Sequence, residues 1–110
     1  MTMAVDEIVD SLISTEDDIS SAARSMKAMA HPLRLKILCI LGTNRDISVQ
    51  DLVDKVGTSQ SNISQHLSIL REKGILTTRK DANKVYYSIA DPAVVRLIGS
   101  LREAFCGIAD

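Results

Sequence analysis

Ser61, Ser64, Gln65 and Ser68 recur at i, i+3, i+4 and i+7, so they share one face of any helix that runs through them. An ordinary surface helix fills such a face with Glu and Lys. This one carries short neutral hydrogen-bonders, which can press against base edges without charge repulsion and without stripping water from an ion. Gln60 and Gln65 each match the N6/N7 edge of adenine bidentately, and Ser61 and Ser64 reach a base or a phosphate. Ser59, at the start of the helix, and Ser68 complete the candidate DNA-contacting ridge. The opposite stripe, Ile63, Leu67 and Leu70, is aliphatic and reads as core. Arg79, Lys80, Asn83 and Lys84 cluster at or beside the tip of a predicted hairpin. Cations placed there meet the phosphate backbone or dip into the minor groove, adding salt-dependent affinity more than sequence information.

The chain has two cysteines, Cys39 and Cys106. Cys39 lies in a helix that is apolar around most of its circumference, where cysteine behaves as a small hydrophobe. Cys106 falls outside the apolar arc of the last helix, which is made by Val94, Leu97, Ile98, Leu101 and Phe105. Arg102, one turn back, favours the nucleophilic thiolate. The negative end of the helix dipole opposes it. In a cytosolic chain such a pair is redox-active or inert more readily than a structural staple. His66 flanks the core stripe of its helix, which suits a structural hydrogen bond better than base contact or proton-linked control.

The elements that position these residues follow from periodicity and caps. Val5, Ile8, Val9, Leu12 and Ile13 predict a short acidic amphipathic helix or extension over residues 1–14. Thr15 with Asp18 resembles a capping pair for a second helix burying Ile19, Ala22, Ala23, Met26 and Met29. That helix ends near His31-Pro32, and Pro32 opens the next, Leu33 to Leu41, closed by Gly42. Ser48 caps Val49 to Val56, Gly57 makes the sharp turn, and Thr58 or Ser59 caps the polar-faced helix ending at Lys73-Gly74. Ile75 to Lys80 and Lys84 to Ile89 read as strands joined by Asp81-Ala-Asn83. Asp91-Pro92 starts a last helix running to about Cys106. The fold class expected is mainly α with a small β-hairpin: a winged helix-turn-helix over residues 15–110.

Composition bounds the alternatives. With 110 residues, 45% hydrophobic and 3% aromatic, the chain makes one domain with an aliphatic core. Its longest apolar run, Ile37 to Leu41, falls far short of the roughly 20 residues of a membrane span. No secretory signal is visible, so the expected compartment is the cytoplasm. A net charge of −1 seems wrong for a nucleic-acid binder until its distribution is considered. The first 20 residues hold six of the 14 acidic side chains and no Lys or Arg; the other 90 set 13 basic side chains against eight acidic. The field over that larger part still attracts phosphate.

Several segments together resemble the ArsR/SmtB family of winged-helix transcriptional regulators: Met29-Ala-His-Pro-Leu-Arg-Leu-Lys-Ile-Leu38, Ser59-Gln-Ser-Asn-Ile-Ser-Gln-His-Leu67, Leu70-Arg-Glu-Lys-Gly74 and Lys84-Val-Tyr-Tyr87. The resemblance covers about residues 19–106. It implies a homodimer formed by the first and last family helices, binding a partly palindromic double-stranded operator with half-sites ~34 Å apart, and repression relieved by an inducer. The family's familiar metal sites are missing here. The helix before the turn has no Cys, and the last helix has no His; no metal and no cofactor is expected.

The placement of Cys39 and Cys106 resembles a dithiol subgroup of the family that includes HlyU, BigR and SqrR. That resemblance implies redox sensing: an oxidant or reactive sulfur species would join the two thiols by a disulfide or polysulfide bridge and weaken operator binding. The same cysteines could instead hold a thiophilic metal or metalloid such as arsenite or mercury. An antirepressor that activates by displacing another DNA-binding protein is a further alternative. A thiol oxidoreductase would want Cys-x-x-Cys beside a parallel-sheet pattern, and neither is present. A protein-interaction module acting through Val5 to Ile13 is the remaining class. No catalytic constellation is visible, and an enzyme is not expected.

Overall fold

Both prolines of the chain stand at the first position of a helix, where a missing backbone N–H costs nothing and the fixed φ suits helical geometry. The computed structural model describes residues 4–5, 16–43 and 46–106. It runs α1 (Glu16–Met29), α2 (Pro32–Leu41), β1 (Ile47–Ser48), α3 (Val49–Val56), α4 (Gln60–Glu72), β2 (Leu76–Asp81), β3 (Lys84–Ile89) and α5 (Pro92–Cys106). Apart from Val5, the amphipathic helix expected over Val5 to Ile13 lies outside the described residues, and so does Thr15 of the capping pair.

Side-chain caps fix three helix starts, including both proline-led ones. The His31 Nδ1 accepts from Leu33 N–H at 3.1 Å, the Ser48 hydroxyl from Asp51 N–H at 3.2 Å, and the Asp91 carboxylate from Ala93 N–H at 2.9 Å. Gly42 closes α2 for a different reason than a left-handed cap, since its φ is −65°. A Cβ there would stand 3.0 Å from the Ile98 Cγ2, so this glycine admits α5 against the end of α2.

The sheet has three antiparallel strands in the order β1-β3-β2. The sequence indicates only the hairpin; β1 is two residues long and shows itself only through its pairing, Ile47 with Tyr87 and Ser48 with Tyr86. The hairpin register also differs from expectation. Asp81 pairs with Lys84, which leaves a two-residue turn of Ala82 and Asn83 in place of the predicted three. Ala82 takes φ 54° to make it. The one-residue change sets Arg79 opposite Tyr86.

Ile37, Leu38, Leu41, Leu52, Ile63, Leu67, Leu70 and Ile98 are fully buried, so α2, α3, α4 and α5 share one aliphatic core. The outer helices depart from prediction. Met29 is buried as expected, joined by Ala28, but Ile19 is 51% and Met26 58% exposed, and Ala22 and Ala23 are exposed too. On α5, Leu97 is 39% and Phe105 82% exposed. These apolar residues lie on faces of α1 and α5 that point away from the shared core. The architecture is a winged helix-turn-helix: α3, a tight turn, α4 and the β2–β3 wing.

Candidate nucleic-acid interface

The turn between α3 and α4 is built by Gly57 at φ 80°, a left-handed conformation that side chains resist. Its N–H bonds the Val53 carbonyl at 2.9 Å. The Lys36 ammonium, from α2, donates to the Val56 carbonyl at 3.2 Å, placing a cation at the negative end of α3. Ser59 then caps α4, its hydroxyl accepting from Asn62 N–H at 3.2 Å, and Asn62 Nδ2 donates to the Thr58 hydroxyl at 3.2 Å. Ser59, a candidate base or phosphate contact, therefore also shapes the helix start. At the other end Ile75 N–H bonds the Leu70 carbonyl and Gly74 N–H the Arg71 carbonyl, a Schellman closure.

Between these caps α4 has two faces. Ile63, Leu67 and Leu70 are buried, whereas Gln60, Ser61, Gln65 and Ser68 are exposed and Ser64 is half-exposed. The ridge of hydroxyls and carboxamides thus stands outward along the helix. Such a helix is about 10–12 Å across and B-DNA's major groove about 12 Å wide, so α4 fits it lengthwise.

The wing divides its cations. Lys80 and Lys84, with Asn83, are exposed at the tip. Arg79 is engaged within the protein. Its Nη2 and Nε both lie 2.7 Å from the Asp46 Oδ2, Asp81 is 3.7 Å from Nη1, and the guanidinium covers the Tyr86 ring at 4.6 Å. The hydrogen bond to Asp46 raises the Arg79 pKa further. Reading the residues alone missed Asp46 and Tyr86, although the register of a two-residue turn would have revealed the second.

His66 sits on the flank of α4 as a structural hydrogen-bonder. Its Nδ1 accepts from Arg34 Nε at 3.1 Å, and its ring lies 4.7 Å from that of His31. Burial, then His31, then Arg34 lower its pKa below the ordinary imidazole value. Arg34 also donates to the Ala28 carbonyl at 3.0 Å, which ties the α1–α2 corner to α4.

The half-buried Cys39 lines a groove of about 790 Å³ whose wall also includes Lys36, Asp46, Ser48, Tyr86 and Arg102. The two cysteines stand on helices that pack together, α2 and α5, and Cys106 follows Arg102 by one helical turn. No group of three or more His, Cys, Asp or Glu side chains suited to a metal ion occurs among the described residues. Nor is any helix among them long and apolar enough to cross a membrane.

The family model for the bacterial regulatory proteins of the arsR family matches residues 31–78, the span from the α2 cap to the first wing strand. The HTH-type transcriptional regulator YgaV of Escherichia coli K12 is 37% identical over 95 residues, 86% of this chain and 96% of YgaV. The chain belongs to the ArsR family. It is a DNA-binding transcriptional regulator, not an enzyme. HlyU from Vibrio cholerae superposes with a TM-score of 0.79 at 38% identity, covering 84% of this chain and 99% of HlyU. The reduced form of HlyU gives 0.77. The transcriptional repressor BigR from Xylella fastidiosa gives 0.75 at 28% identity, covering 98% of this chain and all of BigR. Within this ArsR-family chain α3, the Gly57 turn and α4 form the helix-turn-helix, and the β2–β3 hairpin forms the wing.

Proposed function

We propose that this ArsR-family regulator is a homodimeric repressor whose operator affinity falls when Cys39 and Cys106 become bridged. The observation that carries this reading is the position of Cys39 in a groove wall shared with Arg102, one turn before Cys106. Three cations, Lys36, Lys55 and Arg102, line that groove against two carboxylates, Asp46 and Asp51, and a nearby cation favours the thiolate. With peroxide as oxidant, the two thiols give up two protons and two electrons, and the peroxide leaves as two waters. A reactive sulfur species would instead leave sulfur in the bridge.

The groove is bonded to both DNA-facing parts. Lys36, one turn before Cys39, holds the Val56 carbonyl beside the Gly57 turn, and Asp46 holds Arg79 of the wing. A bridge pulling α2 toward α5 would shift these anchors and change the relation of α4 to the wing. The exposed Ile19 and Met26 on α1, with Leu97 and Phe105 on α5, supply the apolar surface of the dimer. In that dimer Gln60, Ser61, Ser64, Gln65 and Ser68 read bases, and Lys80, Asn83 and Lys84 hold phosphates.

The test is operator binding by fluorescence anisotropy with and without peroxide or polysulfide, paired with intact-mass measurement. Wild-type protein should release DNA and lose two mass units, or gain whole sulfur atoms. Cys39→Ser and Cys106→Ser should bind DNA and ignore both agents. Normal release by either variant overturns the dithiol reading and leaves DNA binding intact. A promoter reporter decides the sign of regulation, because HlyU is described as a transcriptional activator and BigR as a repressor.

A further inference from the structure

A second cleft, of about 290 Å³, lies where α1 and α2 meet the last turns of α4. Its lining is Arg24, Lys27, Ala28, Arg34, Ile69 and Lys73: four cations, two small or aliphatic residues and no acid. Nothing in the thiol chemistry or in the base-reading ridge uses it. We propose that this cleft, whose lining includes no wing residue, is a phosphate site for the operator backbone beside the last turns of α4.

The argument begins with helix geometry. Each i+4 step advances an α-helix by about 40°. Ser61, Gln65, Ile69 and Lys73 therefore form a slow spiral that leaves the exposed ridge and enters the cleft. A helix of roughly 10–12 Å diameter in a groove about 12 Å wide has a phosphate strand along each flank. The wing's exposed Lys80 and Lys84 serve one strand. The other must pass the side of α4 that carries His66 and Lys73, and Arg24 and Lys27 stand exposed there on α1.

Arg34 is the fixed member of the group. Its Nε is held by His66 and a second nitrogen by the Ala28 carbonyl, so its guanidinium is oriented before DNA arrives. Planar, pre-oriented guanidinium suits a phosphate better than a freely rotating ammonium does. Arg24, Lys27 and Lys73 add mobile charge around it. Placed at the edge of the reading helix, such a cluster fixes how far α4 rolls within the groove, and so which ridge residues meet the bases.

The inference rests on DNA binding and is independent of the cysteines. Its test titrates labelled operator, and a scrambled duplex of equal length, with wild-type protein, Arg24→Gln/Lys27→Gln, Lys73→Gln and the control Arg96→Gln. Salt is varied from about 50 to 200 mM. Removing one phosphate-binding cation should flatten the slope of log K against log salt by about one, and weaken operator and scrambled duplex by the same factor. The double variant should lose roughly tenfold or more at the lowest salt, whereas Arg96→Gln should match wild type. Inorganic phosphate at matched ionic strength should weaken the double variant no more than it weakens wild type; a larger loss in the double variant would overturn the assignment. Unchanged slopes in the double and Lys73 variants would also overturn it, and would point to an acidic protein partner. Failure of wild-type protein to bind any duplex would instead refute the DNA reading itself.

Discussion

α4 and α5 are both amphipathic helices of similar length, and they use their apolar residues in opposite ways. In α4, Ile63, Leu67 and Leu70 are buried, and only polar residues and the half-buried Ile69 are left for the outside. Of the described side chains of α5, Ile98 alone is fully buried, and Phe105 stands 82% exposed. The first helix is complete within one chain, and its outer face is free to be chemically specific. The second leaves part of its apolar face exposed, the face that the proposed dimer would cover. Exposed hydrophobicity and exposed neutral polarity therefore suit two different kinds of partner.

The sharpest way to break this contrast is to truncate one apolar residue on each helix. Leu67→Ala should destabilise the fold by about 2–5 kcal/mol, since it leaves a cavity in the shared core. Phe105→Ala should change the unfolding free energy of the monomer by less than about 1 kcal/mol. It should nevertheless raise the dimer dissociation constant by tenfold or more. Denaturant melts and sedimentation equilibrium separate the two effects. A Phe105→Ala protein that melts like Leu67→Ala while staying dimeric would erase the distinction between the helices.

A smaller effect tests the outer face of α4. Gln65→Ala removes an exposed carboxamide that touches no core residue, so its melting temperature should stay near that of wild type. Operator affinity should fall by about 1–3 kcal/mol, and preference at one base position should relax. Binding to a scrambled duplex should barely change, because phosphate contacts remain. An equal loss on both duplexes would make Gln65 a backbone contact instead.

How much of this was legible in the residues depends on the range of the forces involved. The faces of α4, the Gly57 turn and the starts at Pro32 and Pro92 are local, and periodicity and caps indicate them directly. The placement of His66 on the flank of α4 was legible for the same reason, but its partner Arg34, 32 residues away, was not. The burial predicted for Ile19 and Met26 failed because a helical stripe says that a face is apolar without saying whose surface covers it. The engagement of Arg79 was hidden for a longer-range reason. Its partner Asp46 lies 33 residues away, and the cation–π contact with Tyr86 depends on a register set by one residue of turn length. Composition marked Arg79 correctly as part of a basic wing and could not indicate that its charge is already paired. The cleft of Arg24, Lys27, Arg34 and Lys73 escaped notice similarly, since its cations come from three helices.

The smallest effect concerns protons on the flank of α4. His66 must keep a lone pair on Nδ1 to accept from Arg34, and burial, His31 and Arg34 all disfavour its charged form. Its folded pKa therefore lies below the unfolded value of about 6.5. As pH falls from neutrality the unfolded chain takes up this proton first, so stability declines through the window between the two pKa values and levels off below the folded one. His66→Gln should flatten that decline, while losing at neutral pH the small amount that one partly exposed hydrogen bond contributes. Melting temperatures of both proteins between about pH 7.5 and 5 measure the difference. A wild-type curve that rises on acidification would mean that His66 gains a partner when charged, and the flank of α4 would then have to be rebuilt around an imidazolium.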